Sequence, residues 1–428
     1  MAVTALARPT VSKAQIITAT TLGTALEFYD FTVYSYFAIT IGKLFFPAET
    51  PVNQMLLSIG VFGVGFVVRP LGGIVIGAYA DRAGRKKAMV LTILLMALGC
   101  ALISFVPPFA VIGVAAPVIV LLARLVQGFA AGGEFGPGTT LLIECAGDRD
   151  RAFFASWNFA AQALGLALGA SAATLLSWAL PKEALDAWGW RIPFAVGILA
   201  APAGMLIRRR LEETLDARTV RAAGKSGAVR AVLTTHIVLT ILGTFAELGG
   251  SVSVYVTAFF LPSYATRELG LSAATGVSSG VVGAIALFVS APLMGLAADR
   301  FTRKRVLVIC RVAMLVLVYP AFLRLTRAPT PFALNTVSAG LAVLVSGQIV
   351  PVLVMLPEIF PKAVRATGIA LTYVVSASIF GGFSPFIATW LVAATGDKLA
   401  PALYVAAACL LSLVPIRWLT DHTGRRLT

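Results

Sequence analysis

The stretch GAYADRAGRKK, residues 77–87, joins two long apolar runs, and GLAADRFTRKR, residues 295–305, joins two more. Asp81 and Asp299 head the same pattern, 218 residues apart. A second pair of joins repeats with them: ECAGDRDRA (144–152) and EIFPKAVRA (358–366) each set a Glu seven residues before an Arg, Glu144 before Arg151 and Glu358 before Arg365. Repeated halves are a common construction of membrane carriers, because a site between two similar bundles opens to either side when one rocks against the other.

Composition agrees. Of 428 residues 58% are hydrophobic and 12% charged, against about 25% charged in soluble domains, so polar side chains are too few to cover a water-facing surface. Apolar runs of roughly 20 residues, enough to cross a hydrocarbon layer of about 30 Å as helix, recur along the chain. Twelve spans are predicted, at 15–42, 54–79, 89–107, 114–145, 153–179, 191–207, 231–262, 271–298, 306–324, 331–357, 365–395 and 400–419. The expected architecture is an all-α membrane protein of twelve transmembrane helices in two pseudo-symmetric six-helix halves. The expected division is 1–207, a charged cytoplasmic linker at 208–230, and 231–428. The first apolar run is too long for a signal peptide and lacks a small-residue cleavage site near its end, so it is expected to remain in the mature chain.

The net charge of +15 is compatible with nucleic-acid binding until the basic residues are placed. Counting residues at span ends with the adjoining segments, 24 of 34 Lys and Arg fall on one side of the predicted spans and 7 on the other, with Arg69, Arg124 and Arg311 well inside spans. That asymmetry is the positive-inside pattern, putting both termini in the cytoplasm and leaving no case for a nucleic-acid partner. Cys100, Cys145, Cys310 and Cys409 are scattered, as are His236 and His422. No metal or cofactor spacing and no enzymatic motif is visible.

Span 1 contains LEFYDF (26–31), with carboxylates at Glu27 and Asp30. At 1.5 Å per residue these lie about 18 and 22 Å along the span, near mid-membrane. Three positions apart, they share a helix face. By the same arithmetic Arg69 is level with Glu27, Arg124 is nearest in level to Asp30, and Glu134 lies near Glu27 and Arg69. An unpaired charge at that depth costs several kcal/mol, so each acid needs a cation, a water-filled cavity or a proton. Two readings stand: a paired polar core that fixes helix register, or a coupling site. In the second, Asp30, Glu27, Glu134 and Arg124 handle protons. Arg69 and Arg124, whose planar forks grip a carboxylate by two hydrogen bonds, contact an anionic substrate. Glu247 is expected in the cavity, and it and Tyr255 join Arg69 and Arg124 as expected substrate-binding residues; Tyr255, Tyr264 and Trp157 are read as either cavity lining or packing. Arg311, close to the RKR run, is expected to snorkel to the interface. Gly128, Gly132 and Gly136 have the spacing of close helix packing. Asp81, Arg85, Glu144, Arg151, Asp299, Glu358 and Arg365 are expected to form a gating latch at the cytoplasmic mouth.

The pattern G-x-x-x-D-R-x-G-R-K in the first join resembles the signature of the major facilitator superfamily. Together with LEFYDFTVYSYFA (26–38), RPLGG (69–73), RLVQGFAAGGEFG (124–136), WGWRIPF (188–194) and PEIFPKAVRATG (357–368), it resembles the metabolite:proton symporters within it. SIFGGFSP (378–385) and TGDK (395–398) are most similar to the citrate and tricarballylate carriers. The resemblance implies a monomeric bacterial inner-membrane symporter that takes up a small carboxylate, such as citrate, with protons, an acid in span 1 and an arginine in span 4 exchanging partners. Alternatives are another metabolite class, such as a zwitterionic osmolyte or an aromatic acid, and a non-transporting sensor. Thr302 stands where the second join should have glycine, so that turn is expected to differ.

Overall fold

The computed structural model describes residues 13–47, 51–209 and 227–425. Twelve helical segments occupy the predicted spans. They are α1 (Lys13–Tyr36), α2 (Pro51–Ala83), α3 (Arg85–Phe105), α4 (Ala115–Cys145), α5 (Arg151–Ala179), α6 (Ile192–Arg209), α7 (Ile237–Arg267), α8 (Ala273–Phe301), α9 (Arg303–Arg327), α10 (Pro331–Ile359), α11 (Arg365–Thr395) and α12 (Ala400–Ile416). Ten segments among the described residues are long and apolar enough to cross a membrane, and α12 is a shorter apolar helix. Most of the predicted linker, residues 210–226, and most of the amino-terminal arm lie outside the described residues.

Two spans depart from their predicted form. The first breaks at Phe37, after which a short helix, Ala38–Phe45, continues. The seventh starts late, because Ala228–Leu233 forms its own short helix ending at Thr234. Side-chain caps set other boundaries: Ser272 accepts from Thr275 N at the start of α8, and Thr330 from Ala333 N at the start of α10, satisfying donors that a helix start leaves open. Within α7 and α11 the winding loosens to π form, at Val256–Phe260 and Ser376–Gly381. Pro262 and Pro385 follow these turns closely. A proline ring clashes with the preceding turn of a tight helix, and a widened turn relieves that crowding.

The halves meet through α2 against α11 and α5 against α8, two contacts related by the six-span repeat. Within the first half α2 lies directly on α4. A Cβ added at Gly128 would strike the Gly65 carbonyl, and one at Gly132 the carbonyl of Arg69. Gly136 packs on Ala366 and Ala370 of α11. The small-residue spacing is therefore helix packing, and it fixes the height of Arg69.

The second join does not differ from the first. Gly84 has φ 107 and ψ 152, and Thr302 has φ 91 and ψ 142. Thr302 is the one non-glycine with positive φ among the described residues. Its hydroxyl accepts from Arg305 N at 3.4 Å, a cap that offsets part of the strain of that backbone.

Candidate functional site

At the end of the bundle carrying the repeated joins, each half grips the other. Asp81, at the foot of α2, pairs with Arg85 at 2.5 Å. It also accepts from Thr367 N at 2.9 Å, Thr367 Oγ1 at 2.6 Å and Ala366 N at 3.3 Å. Those two backbone donors are the open first turn of α11, where the helix dipole favours an anion. Asp299, at the foot of α8, accepts from Ala152 N at 3.0 Å and Phe153 N at 2.8 Å, the first turn of α5. Two glutamates bridge the same seam. Glu144 meets Arg365 of the other half at 3.1 Å and Arg85 of its own at 3.6 Å. Glu358 meets Arg151 of the other half at 3.0 Å and also pairs with Arg303 of its own. All seven residues expected here are brought together. Arg303 makes an eighth that the reading of the sequence passed over, although the 218-residue offset from Arg85 points to it. Arg151 also donates to the carbonyl of Arg425 at 2.7 Å, tying the carboxyl-terminal tail to the seam.

Deeper in, a cavity of about 660 Å³ lies between the halves, with Arg69, Phe31, Phe66, Tyr255 and Phe259 in its lining. Its remaining lining comes from α1, α2, α5, α7, α8 and α11, on the side away from the repeated joins. Arg69 pairs with Glu27 at 2.8 Å. Its guanidinium sits 4.4 Å from the ring centroids of both Phe31 and Phe66, which are themselves stacked 5.6 Å apart, an aromatic pair that holds a cation in a dry place. Arg124 pairs with Asp30 at 2.8 Å and lies 3.8 Å from the Tyr34 ring centroid. This second pair is buried behind the cavity and does not line it. Glu134 is buried on α4 and accepts from the Thr92 hydroxyl of α3. The structure thus resolves three acids and two arginines into two ion pairs and one hydrogen-bonded acid.

Glu247 is fully buried in α7 and lines a small cavity beside the main one, together with Gln162, Ser251, Tyr255 and Tyr373. Tyr255 lines both. Tyr264 and Trp157 belong to packing: the Tyr264 hydroxyl donates to the Lys398 carbonyl at 2.8 Å, and Trp157 meets Phe153 and Phe288 edge-on. Arg311 overturns its expectation. It does not snorkel but is fully buried, donating to the Ala246 carbonyl at 2.9 Å and to the Ser412 hydroxyl. Its face of α9 turns toward α7 and α12, whose carbonyl and hydroxyl supply acceptors that make the journey to the interface unnecessary.

With this geometry in view, comparison with known proteins is specific. The profile of the Major Facilitator Superfamily matches residues 20–290 and 252–427. A citrate-proton symporter of Klebsiella pneumoniae is 34% identical over 92% of this chain and 89% of its own length. A proline/betaine transporter of Salmonella typhimurium is 32% identical over 93% of this chain and 81% of its own. Among solved structures, the proton:xylose symporter bound to 6-bromo-6-deoxy-D-glucose superposes with a TM-score of 0.81 at 17% identity, covering 97% of both chains. The chain belongs to the major facilitator superfamily. It is a multi-pass membrane transporter, and the family marks it as a transport protein, not an enzyme.

Proposed function

We propose that this transporter couples proton entry to uptake of a small di- or tricarboxylate such as citrate across a bacterial inner membrane. One observation carries the reading: Arg69 lines a cavity of about 660 Å³ with its Nε lacking a protein partner, while Glu27 occupies one of its terminal nitrogens. A carboxylate entering there meets a charged planar fork in apolar walls, where ion pairing is strong. Glu27 competes for the same arginine, so protonating Glu27 frees Arg69 for the substrate. Proton and anion then favour each other's binding without a separate device. Asp30 and Arg124, buried behind the wall, respond to the same movement and are assigned the main coupled proton. The citrate-proton symporter among the relatives supports the substrate class.

In this reading the positive-inside pattern puts the latch at the cytoplasm, and the structure is the outward-facing form. The seam between 1–207 and 231–428 is the plane on which the halves rock, and the chain works as a monomer. A second reading has its own observation. Phe28, Phe31, Phe66, Tyr255 and Phe259 line the cavity, and aromatic faces also attract quaternary ammonium groups, the chemistry named for the proline/betaine relative. Uptake of labelled citrate, 2-oxoglutarate, proline and betaine into vesicles with an imposed pH gradient separates the two. Accumulation of betaine or proline without any carboxylate would sink the first reading.

A further inference from the structure

Glu247 is fully buried in α7, where neither carboxylate oxygen makes a protein hydrogen bond of ordinary geometry and the Ser251 hydroxyl is its near polar neighbour. An isolated carboxylate in such a place carries a desolvation cost far above that of the neutral acid. This packing therefore suits the protonated form. A counter-charge stands close by. A methyl placed on Gly250 would lie 3.6 Å from Glu247 Oε1 and 3.7 Å from Arg311 Nη2, so the two groups flank one point of α7. Arg311 Nε and Nη2 and Gln348 Nε2 likewise lack partners. No ion pair joins Glu247 to Arg311 among the described residues. An acid and its cation are thus held a short reorientation apart.

The surroundings connect this pair to the first-half site. Gln162 of α5 and Tyr373 of α11 line both the Glu247 cavity and another small cavity that contains Glu27 and Arg69. Gln162 Nε2 donates to the Tyr373 hydroxyl at 3.5 Å across the seam between the halves. Each cavity has about 20 Å³ of free space, the scale of a single water. The titratable groups near Glu247 are Arg311 of α9, Tyr373 of α11 and Tyr255 of its own helix, with Cys409 of α12 beside Arg311. From α5, α8 and α10 the cavity receives uncharged side chains, and no second acid lines it. Both π turns adjoin its wall, one following Tyr255 and one including Ala377. A loosened turn gives that wall a place to move as the halves rock.

We propose that Glu247, with Arg311 as its counter-charge, is a second proton site in the carboxyl-terminal half. It takes a proton from water on the chamber side and gives it to water on the latch side, after which the carboxylate pairs with Arg311. The inference rests on the proton coupling proposed above and adds one proton per cycle to it.

The test uses the full chain in vesicles and has two arms. Infrared difference spectra between acid and alkaline pH, without substrate, should lose one protonated-carboxyl band in Glu247→Gln that Glu27→Gln retains. Reversal potentials with labelled citrate should then show the proton-to-citrate ratio of Glu247→Gln falling by one while citrate exchange persists. A retained band or an unchanged ratio overturns the proposal. So does a Glu247→Gln chain that cannot fold, since the amide mimics the protonated acid and a fold requiring the charge has no proton-loaded state. If the unaltered chain moves no citrate, the substrate reading fails by itself, and the infrared arm still decides the site.

Discussion

Asp81 and Asp299 each cap a helix of the opposite half: Asp81 holds the first turn of α11 through the backbone of Ala366 and Thr367, and Asp299 holds the first turn of α5 through Ala152 and Phe153. Each acid therefore lies in the last turn of its own helix and caps the first turn of another. When the halves separate at this end, both starts lose their anionic caps together, which makes the latch cooperative.

Asp81→Asn keeps the shape of the cap but removes its charge and the pair with Arg85. Charge-assisted hydrogen bonds and the dipole contact are each worth about 1–3 kcal/mol or less. The closed latch should therefore lose population to forms open at this end. Cysteine labelling near residue 362 reports it; equal labelling rates in variant and parent would count against gating.

Asp30→Asn removes the acid that pairs with Arg124 at 2.8 Å. If Asp30 carries the main coupled proton, the variant should lose uphill accumulation yet retain substrate exchange across the membrane. Gradient-driven uptake at the parent's level would end that assignment.

The three buried arginines should part company when changed to Lys. Arg69→Lys keeps the charge but loses the fork, and affinity for a carboxylate should fall on the order of tenfold or more. Arg311→Lys cannot reach both the Ala246 carbonyl and the Ser412 hydroxyl, so its main effect should be a loss of about 1–3 kcal/mol of stability. Arg124→Lys should weaken coupling more than binding, because its pair lies behind the cavity. Calorimetry at fixed pH and thermal unfolding in detergent measure the two quantities. An Arg311→Lys chain with the largest affinity loss would move the anion site into the second half.

Thr302→Gly should raise stability by about 1 kcal/mol or less. Relief of the left-handed backbone, worth about 1–3 kcal/mol, outweighs the lost cap and the added freedom of the unfolded chain. A lower unfolding midpoint would show that the hydroxyl contact to Arg305 N matters more than the strain.

Gly132→Ala drives a methyl into the Arg69 carbonyl, whereas Gly60→Ala meets nothing within 4 Å. The first should cost about 1–3 kcal/mol and weaken substrate binding by displacing Arg69, and the second should be silent. Matching behaviour of the two in unfolding and binding assays would refute the role given to the α2–α4 contact.

The sequence by itself determined the twelve spans and the two-fold repeat, because membrane-crossing helices declare themselves by length and apolarity and the latch motifs recur at fixed offsets. It also placed Glu27 level with Arg69 and Asp30 near Arg124, since a helix converts residue number into depth along a nearly straight axis. Rotation about that axis is another matter. Which way Arg311 faces, and that Glu247 lies beside it, depends on how α7, α9 and α12 pack, and a residue's depth carries no record of its neighbours on other helices. The division of labour between Arg69, in the cavity wall, and Arg124, behind it, was likewise decided by packing. Thr302 marks a third limit. Its preference opposes the glycine-like turn, and the contacts on either side of the join override that preference, because capping α5 fixes the foot of α8 and leaves the turn one geometry to adopt.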